Sequence, residues 1–141
     1  MSLDDLYREV ILDHCSHPRN KGSLEAADVT REGANPLCGD EIRLWLIVRG
    51  GVVQDVRFDG KGCAISQASA SMMTERVKGR PVEEAGRVIA AFKAMMRGDQ
   101  PGDDLGDLVA FQGVRKFPVR VKCATLSWLT LEGVLGDLIP R

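Results

Sequence analysis

The chain has 141 residues, of which 44% are hydrophobic and 28% charged, with a formal net charge of -1. That length supports one domain over residues 1–141 with a core that needs no disulfide help, and the near-neutral balance offers no electrostatic grip on nucleic acid or an anionic membrane. Function must therefore come from a site, since no apolar run approaches the roughly 20 residues that span a bilayer.

The opening MSLDDLYREVILDH is charged throughout and lacks the basic-then-apolar layout of a signal peptide, so a cytoplasmic location is expected. Ser2, Leu3, Asp4 and Asp5 mark a helix start. Leu3, Leu6, Tyr7, Val10 and Ile11 share one face at helical spacing, and the helix should stop near residues 14–18. Residues 19–40 are rich in Gly, Asn and Pro and carry one short strand candidate around 27–31. From Glu41 the period changes to two. Ile42, Leu44, Leu46 and Val48 alternate with Arg43, Trp45, Ile47 and Arg49, Gly50 and Gly51 offer a tight turn, and residues 52–59 return as the partner strand with Val56 and Phe58 inward.

Gly60, Lys61 and Gly62 break that strand, and residues 63–79 read as a helix of small residues with Cys63 at its N-terminus. Pro81 opens a third helix striped by Val82, Ala85, Ile89, Phe92 and Met96, which Gly98 closes. Residues 98–107 are expected as an acidic loop. Residues 111–123 mix basic and apolar side chains and lead to a last helix from Ala124 to about Leu138. One helix, a small antiparallel sheet and then several helices make an α+β pattern with the helices on one face of the sheet.

In a reducing compartment the four cysteines, Cys15, Cys38, Cys63 and Cys123, are thiols or metal ligands rather than disulfides. No Cys-x-x-Cys pair occurs, so a metal site would be assembled from distant segments. Cys38 lies in the turn-rich NPLCGD just before a strand, Cys63 at a helix start, and Cys123 after a basic stretch at another helix start. Element ends are where a fold can converge side chains, and a helix N-terminus favours the thiolate. Asp40, two residues from Cys38, completes a three-thiolate, one-carboxylate set suited to tetrahedral zinc or an iron-sulfur cluster. Such a set around Zn²⁺ carries a surplus of negative charge, and Lys61, Arg115, Lys116, Arg120 and Lys122 flank the ligands. Spacing alone also admits three separate small buried hydrophobes.

The remaining chemistry-bearing residues have plainer readings. Cys15 reads as a packing residue, and His14 and His17, beside Pro18 at a helix end, as caps or surface groups. Met72, Met73, Met95 and Met96 fall at helical positions that fill a core, and Trp45 and Trp128 read as packing.

NPLCGD, GKGCAISQASASMM and FQGVRKFPVRVKCATLSW, together with the opening LYREVILDH and HPRNKG, resemble the U-type iron-sulfur assembly proteins (IscU, the NifU N-terminal domain and SufU) over nearly the whole chain. Within that superfamily the chain is similar to the SufU branch. Lys122 stands where IscU-type scaffolds have a histidine, the segment between Cys63 and Cys123 is longer, and the chaperone motif Leu-Pro-Pro-Val-Lys is degraded to Phe117-Pro118-Val119-Arg120-Val121-Lys122.

The resemblance implies an IscU/SufU-like fold, a three-stranded antiparallel sheet packed by helices, with zinc held by Cys38, Asp40, Cys63 and Cys123. It implies acceptance of persulfide sulfur from a SufS-type cysteine desulfurase and delivery to a downstream iron-sulfur scaffold. Cys38, in its Gly-flanked loop, is the expected acceptor, freed when the desulfurase supplies a replacement ligand. The alternative is a scaffold on which a nascent [2Fe-2S] cluster, or iron, is held by the same ligands and handed on. A zinc used only for docking fits poorly with an aspartate ligand, since closed structural sites are usually all Cys and His.

Overall fold

Gly50 and Gly51 reverse the chain with φ of 58° and 75°, a region that residues with a side chain rarely enter, and so form the central hairpin. The computed structural model describes residues 3–36 and 39–138. Helix α1 spans Leu3–Ser16, strands β1, β2 and β3 span Val29–Asn35, Asp40–Arg49 and Val52–Lys61, and helices α2, α3 and α4 span Ala64–Val77, Val82–Met96 and Pro118–Leu138. A 3-10 stretch, Asp103–Lys116, kinks at Gly106. The three strands pair antiparallel in chain order, the expected small sheet.

Ile42, Leu44 and Leu46 point into the core with Val56 and Phe58, as their period of two requires. The register then shifts: Ile47 faces Asp55 while Val48 faces Val53, which leaves Gln54 as an extra residue in β3. This bulge resets the alternation, so Val53 is buried as well. The opposite face of the sheet is polar. Trp45 lies there half-buried, with the Arg43 guanidinium carbon 5.8 Å from its ring centroid. The packing role expected of both tryptophans is therefore split, and Trp128, fully buried, is the one in the core.

Small side chains let α2 be covered on several sides at once: Ala68, Ser69, Ala70 and Ser71 are all buried. Met72, Met73, Met95 and Met96 fill the core as expected. Trp128 stacks on Phe92 at 4.5 Å between centroids, and Phe92 meets Phe111 edge-on. The indole N–H of Trp128 donates to Ser69 Oγ at 3.0 Å, and the Ser69 hydroxyl donates to the Ala124 carbonyl at 2.5 Å. These buried bonds fix α4 against α2 one residue beyond Cys123.

Three expectations need correcting. His14 is neither a cap nor a surface group. Because α1 runs on to Ser16, position 14 continues the inner stripe of Val10 and Ile11, and its ring is buried with Nδ1 2.8 Å from Ser71 Oγ. Burial, and then the neighbouring Arg19, lowers its pKa and favours the neutral ring. His17 does lie on the surface beside Asp13, and Cys15 is half-buried against the core. The acidic stretch 98–107 is loop only in its first part, since the 3-10 stretch starts at Asp103. The last helix begins at Pro118 rather than Ala124, proline being suited to a first helical position that needs no N–H partner. Cys123 consequently sits in the second turn of α4, not at its start.

Helix α4 lies very close to β1. A Cβ on Gly33 would overlap Thr130 Oγ1, and Thr130, stiff at χ1, donates to the Leu126 carbonyl at 2.8 Å. Gly33→Ala is expected to lose about 1–3 kcal/mol of stability, measured as a lower denaturation midpoint. A midpoint equal to that of the wild type would mean that α4 can shift to make room. Among the described residues no helix is long and apolar enough to cross a membrane.

Candidate metal centre

Asp40 opens β2, pairs with Asn35 across the β1–β2 turn and has no exposed surface. The Gly39 N–H donates to the Asn35 carbonyl at 2.9 Å, with Gly39 at a φ of 71°, so a glycine just before the aspartate is a requirement of the turn. Cys63 is the N-cap of α2, in extended conformation, and its side chain makes no capping bond. The position that usually carries Ser, Thr, Asp or Asn is thus given to a thiol left free for other chemistry. Cys123 is brought in from α4 and is 1% exposed.

These elements converge. Asp40 Oδ1 accepts the Cys63 backbone N–H at 3.0 Å, and Oδ2 is 4.0 Å from Cys63 Sγ. One donor atom from each of Asp40, Cys63 and Cys123 lies within 4.8 Å of the others, the one such group found among the described residues. Zinc with sulfur ligands at about 2.3 Å and oxygen at about 2.0 Å separates its donors by roughly 3.5–3.8 Å, so small side-chain adjustments suffice. The donors, two thiols and a carboxylate, with Asp40 and Cys123 shut away from water, fit zinc or iron. Cys38 falls outside the described residues.

The sequence surrounds these ligands with five cations, and the structure brings one of them to the thiols. Cys63 as a thiolate, followed by Cys123, raises the pKa of the Arg120 guanidinium above its ordinary value. Arg120 precedes Cys123 by three residues, about one turn of α4, so both side chains emerge on the same face. Arg115 instead donates to the Met95 and Asp99 carbonyls at 3.2 Å, and Lys61 pairs with Glu41 at 3.6 Å. Lys116 and Lys122 are exposed.

Beside Cys63 opens a cavity of about 400 Å³ lined mainly by Ala64, Ile65, Val114, Phe117 and Arg120. Phe117 and Val119 stand nearby, 59% and 55% exposed. Cys63 is half-exposed and faces this opening, whereas Cys123 is sealed in. Sequence reasoning missed Ser69 and Trp128 as the pair that holds the Cys123 segment in place. With Ser66, Ser71 and Thr74 buried on the same helix, nothing local in the sequence singled out Ser69.

The profile of the NifU-like N terminal domain family matches residues 6–124. The chain is 53% identical over 133 residues to the zinc-dependent sulfurtransferase SufU of Bacillus subtilis, covering 93% of this chain and 90% of that protein. It is 44% identical over 134 residues to the iron-sulfur cluster assembly scaffold protein IscU of Thermotoga maritima, covering 94% of each. The fold superposes on the crystal structure of a chain described as an iron-sulfur cluster assembly scaffold protein for the SUF system, from Fervidobacterium islandicum. The TM-score is 0.88 at 38% identity, over 95% of this chain and 99% of that one.

Proposed function

From the premise that the chain belongs to the NifU-like N-terminal domain family, we propose that it serves iron-sulfur cluster assembly as a zinc-dependent sulfur acceptor. Its partner on this reading is a SufS-type cysteine desulfurase in the cytoplasm, and the sulfur passes on to a separate scaffold. The observation that carries the proposal is the convergence of Asp40, Cys63 and Cys123 from three separate elements. The similarity to a protein named a zinc-dependent sulfurtransferase supports the choice of activity.

Cys38, Asp40, Cys63 and Cys123 would hold the zinc, which when bound keeps its thiolate ligands deprotonated near neutral pH and guards them from oxidation. Asp40 and Cys123, both buried, form the fixed part of the set. Cys38 is the acceptor. Its thiolate attacks the terminal sulfur of the desulfurase persulfide, a new S–S bond forms at Cys38, and the partner's S–S bond breaks. The electron pair departs with the partner's cysteine sulfur, which takes up a proton, so no outside oxidant enters. Arg120, exposed at the mouth of the site, offers positive charge to an incoming anionic persulfide.

The test is the rate of the cognate desulfurase supplied with cysteine and a reductant but no iron, with and without catalytic amounts of the zinc-loaded protein. A large multiple-turnover stimulation is expected. Absence of stimulation, joined to cluster formation once iron is added, would assign the protein to the second reading, a [2Fe-2S] scaffold. That reading has its own support: thiolates ligate iron as well as zinc, and the Thermotoga maritima relative is named as a scaffold.

A further inference from the structure

We infer that Gly62 is a positioning residue for the metal site: its missing side chain leaves the space in which the Asp40 carboxylate is locked onto the Cys63 amide, so that Asp40 presents a single oxygen to a metal. The inference rests on the reading of Asp40 as a ligand and extends it to a residue with no donor atom of its own. Two independent features meet here. The first is the hydrogen bond from the Cys63 N–H to Asp40 Oδ1 at 3.0 Å, which engages one carboxylate oxygen, while Oδ2 lies 4.0 Å from Cys63 Sγ.

The second is steric. A Cβ built on Gly62 would overlap Asp40 Oδ1 and lie 2.9 Å from its Cγ and 3.2 Å from its Cβ. The backbone at Gly62 is not in the left-handed region, so an alanine there meets no backbone barrier of that kind, and the three atoms nearest its Cβ all belong to the Asp40 side chain. Gly60, two residues earlier, is the opposite case. Its φ is 151° and a Cβ would overlap the Glu41 backbone carbonyl, so a side chain at that position attacks the fold itself.

A carboxylate bound through one oxygen adds one ligand to the thiolates and keeps the coordination number at four. A carboxylate free to rotate can bind through both oxygens and raise that number, or withdraw and admit water. The amide lock therefore fixes coordination geometry as well as affinity.

The experiment compares wild-type, Gly62→Ala, Asp40→Ala and the double variant. Zinc affinity is read by chelator competition, and coordination by the visible ligand-field bands of the Co²⁺-substituted protein. Gly62→Ala is expected to weaken zinc by about 10- to 100-fold, the usual effect of removing support behind a ligand, and to change the intensity of the cobalt bands, while the metal-free protein still unfolds cooperatively, at a midpoint no lower than that of metal-free Asp40→Ala. In the Asp40→Ala background the same substitution should have no further effect on affinity. Wild-type affinity and cobalt spectrum in Gly62→Ala, or an equal loss with and without Asp40, would overturn the positioning role. If Asp40→Ala itself leaves both readouts unchanged, the ligand assignment fails instead.

Discussion

Cys38→Ala is expected to return the desulfurase to the rate it shows alone, whatever amount of the protein is added. The thiolate that forms the new S–S bond is then missing, and neither remaining site thiol is equivalent to it. Cys123 is 1% exposed and cannot reach a sulfur carried by another protein without local unfolding. Cys63 is half-exposed, but it is tied into the start of α2 and its backbone N–H is engaged by Asp40. Zinc content measured on the same samples separates loss of the acceptor thiol from loss of metal. Cys38→Ser provides the companion variant: with three ligands kept and a weaker fourth, it should retain zinc at reduced affinity and still fail to accept sulfur. A Cys38→Ala protein that takes up sulfur at the normal rate would refute the assignment and turn attention to Cys63, the thiol facing the cavity by Arg120.

Stripping the metal with a strong chelator is expected to lower the thermal midpoint by roughly 10–15 °C, the effect of about 4 kcal/mol of linkage in a domain of this size when metal exceeds its dissociation constant a thousandfold. The physical reason lies in where the candidate ligands come from. Asp40 is at the start of β2, Cys63 at the start of α2 and Cys123 in the second turn of α4, so a bound ion ties the sheet to two helices and its binding free energy is in part folding free energy. Without it, neighbouring acidic groups remain in a poorly solvated place with Arg120 as a facing cation. Calorimetry before chelation, after it, and after zinc is restored would measure the effect. An unchanged midpoint would mean that the core alone sets stability.

The sheet was legible where burial is one-sided. Ile42, Leu44 and Leu46 alternate cleanly because every second residue of β2 meets the helices. The bulge at Gln54 left no such mark, since an extra residue is visible only as a register change between two strands. β1 gave a faint signal for a related reason: as an edge strand with Thr30, Arg31, Glu32 and Ala34 exposed, it has little apolar pattern to show.

At the site, Cys63 stood where the strand break and the small-residue helix placed it. Cys123 did not, because Pro118 opens α4 ahead of a basic stretch whose Val119, Arg120 and Lys122 carry no apolar stripe. The same early start sets Arg120 one turn from Cys123, which no count of nearby cations could have picked out of five candidates. His14 was misread from its neighbours in sequence. Its true partner, Ser71, is 57 residues away.

The buried bonds among Ser69, Trp128 and Ala124 have a consequence for how such a chain can change over generations. The Cys63 helix and the Cys123 helix are joined by a serine hydroxyl and an indole N–H that lie wholly inside the protein, and the same indole stacks on Phe92 of α3. A substitution at Ser69 or Trp128 that broke these bonds would free one thiol-bearing helix to shift against the other, however conservative it looked as a packing change. Core and site therefore cannot drift independently.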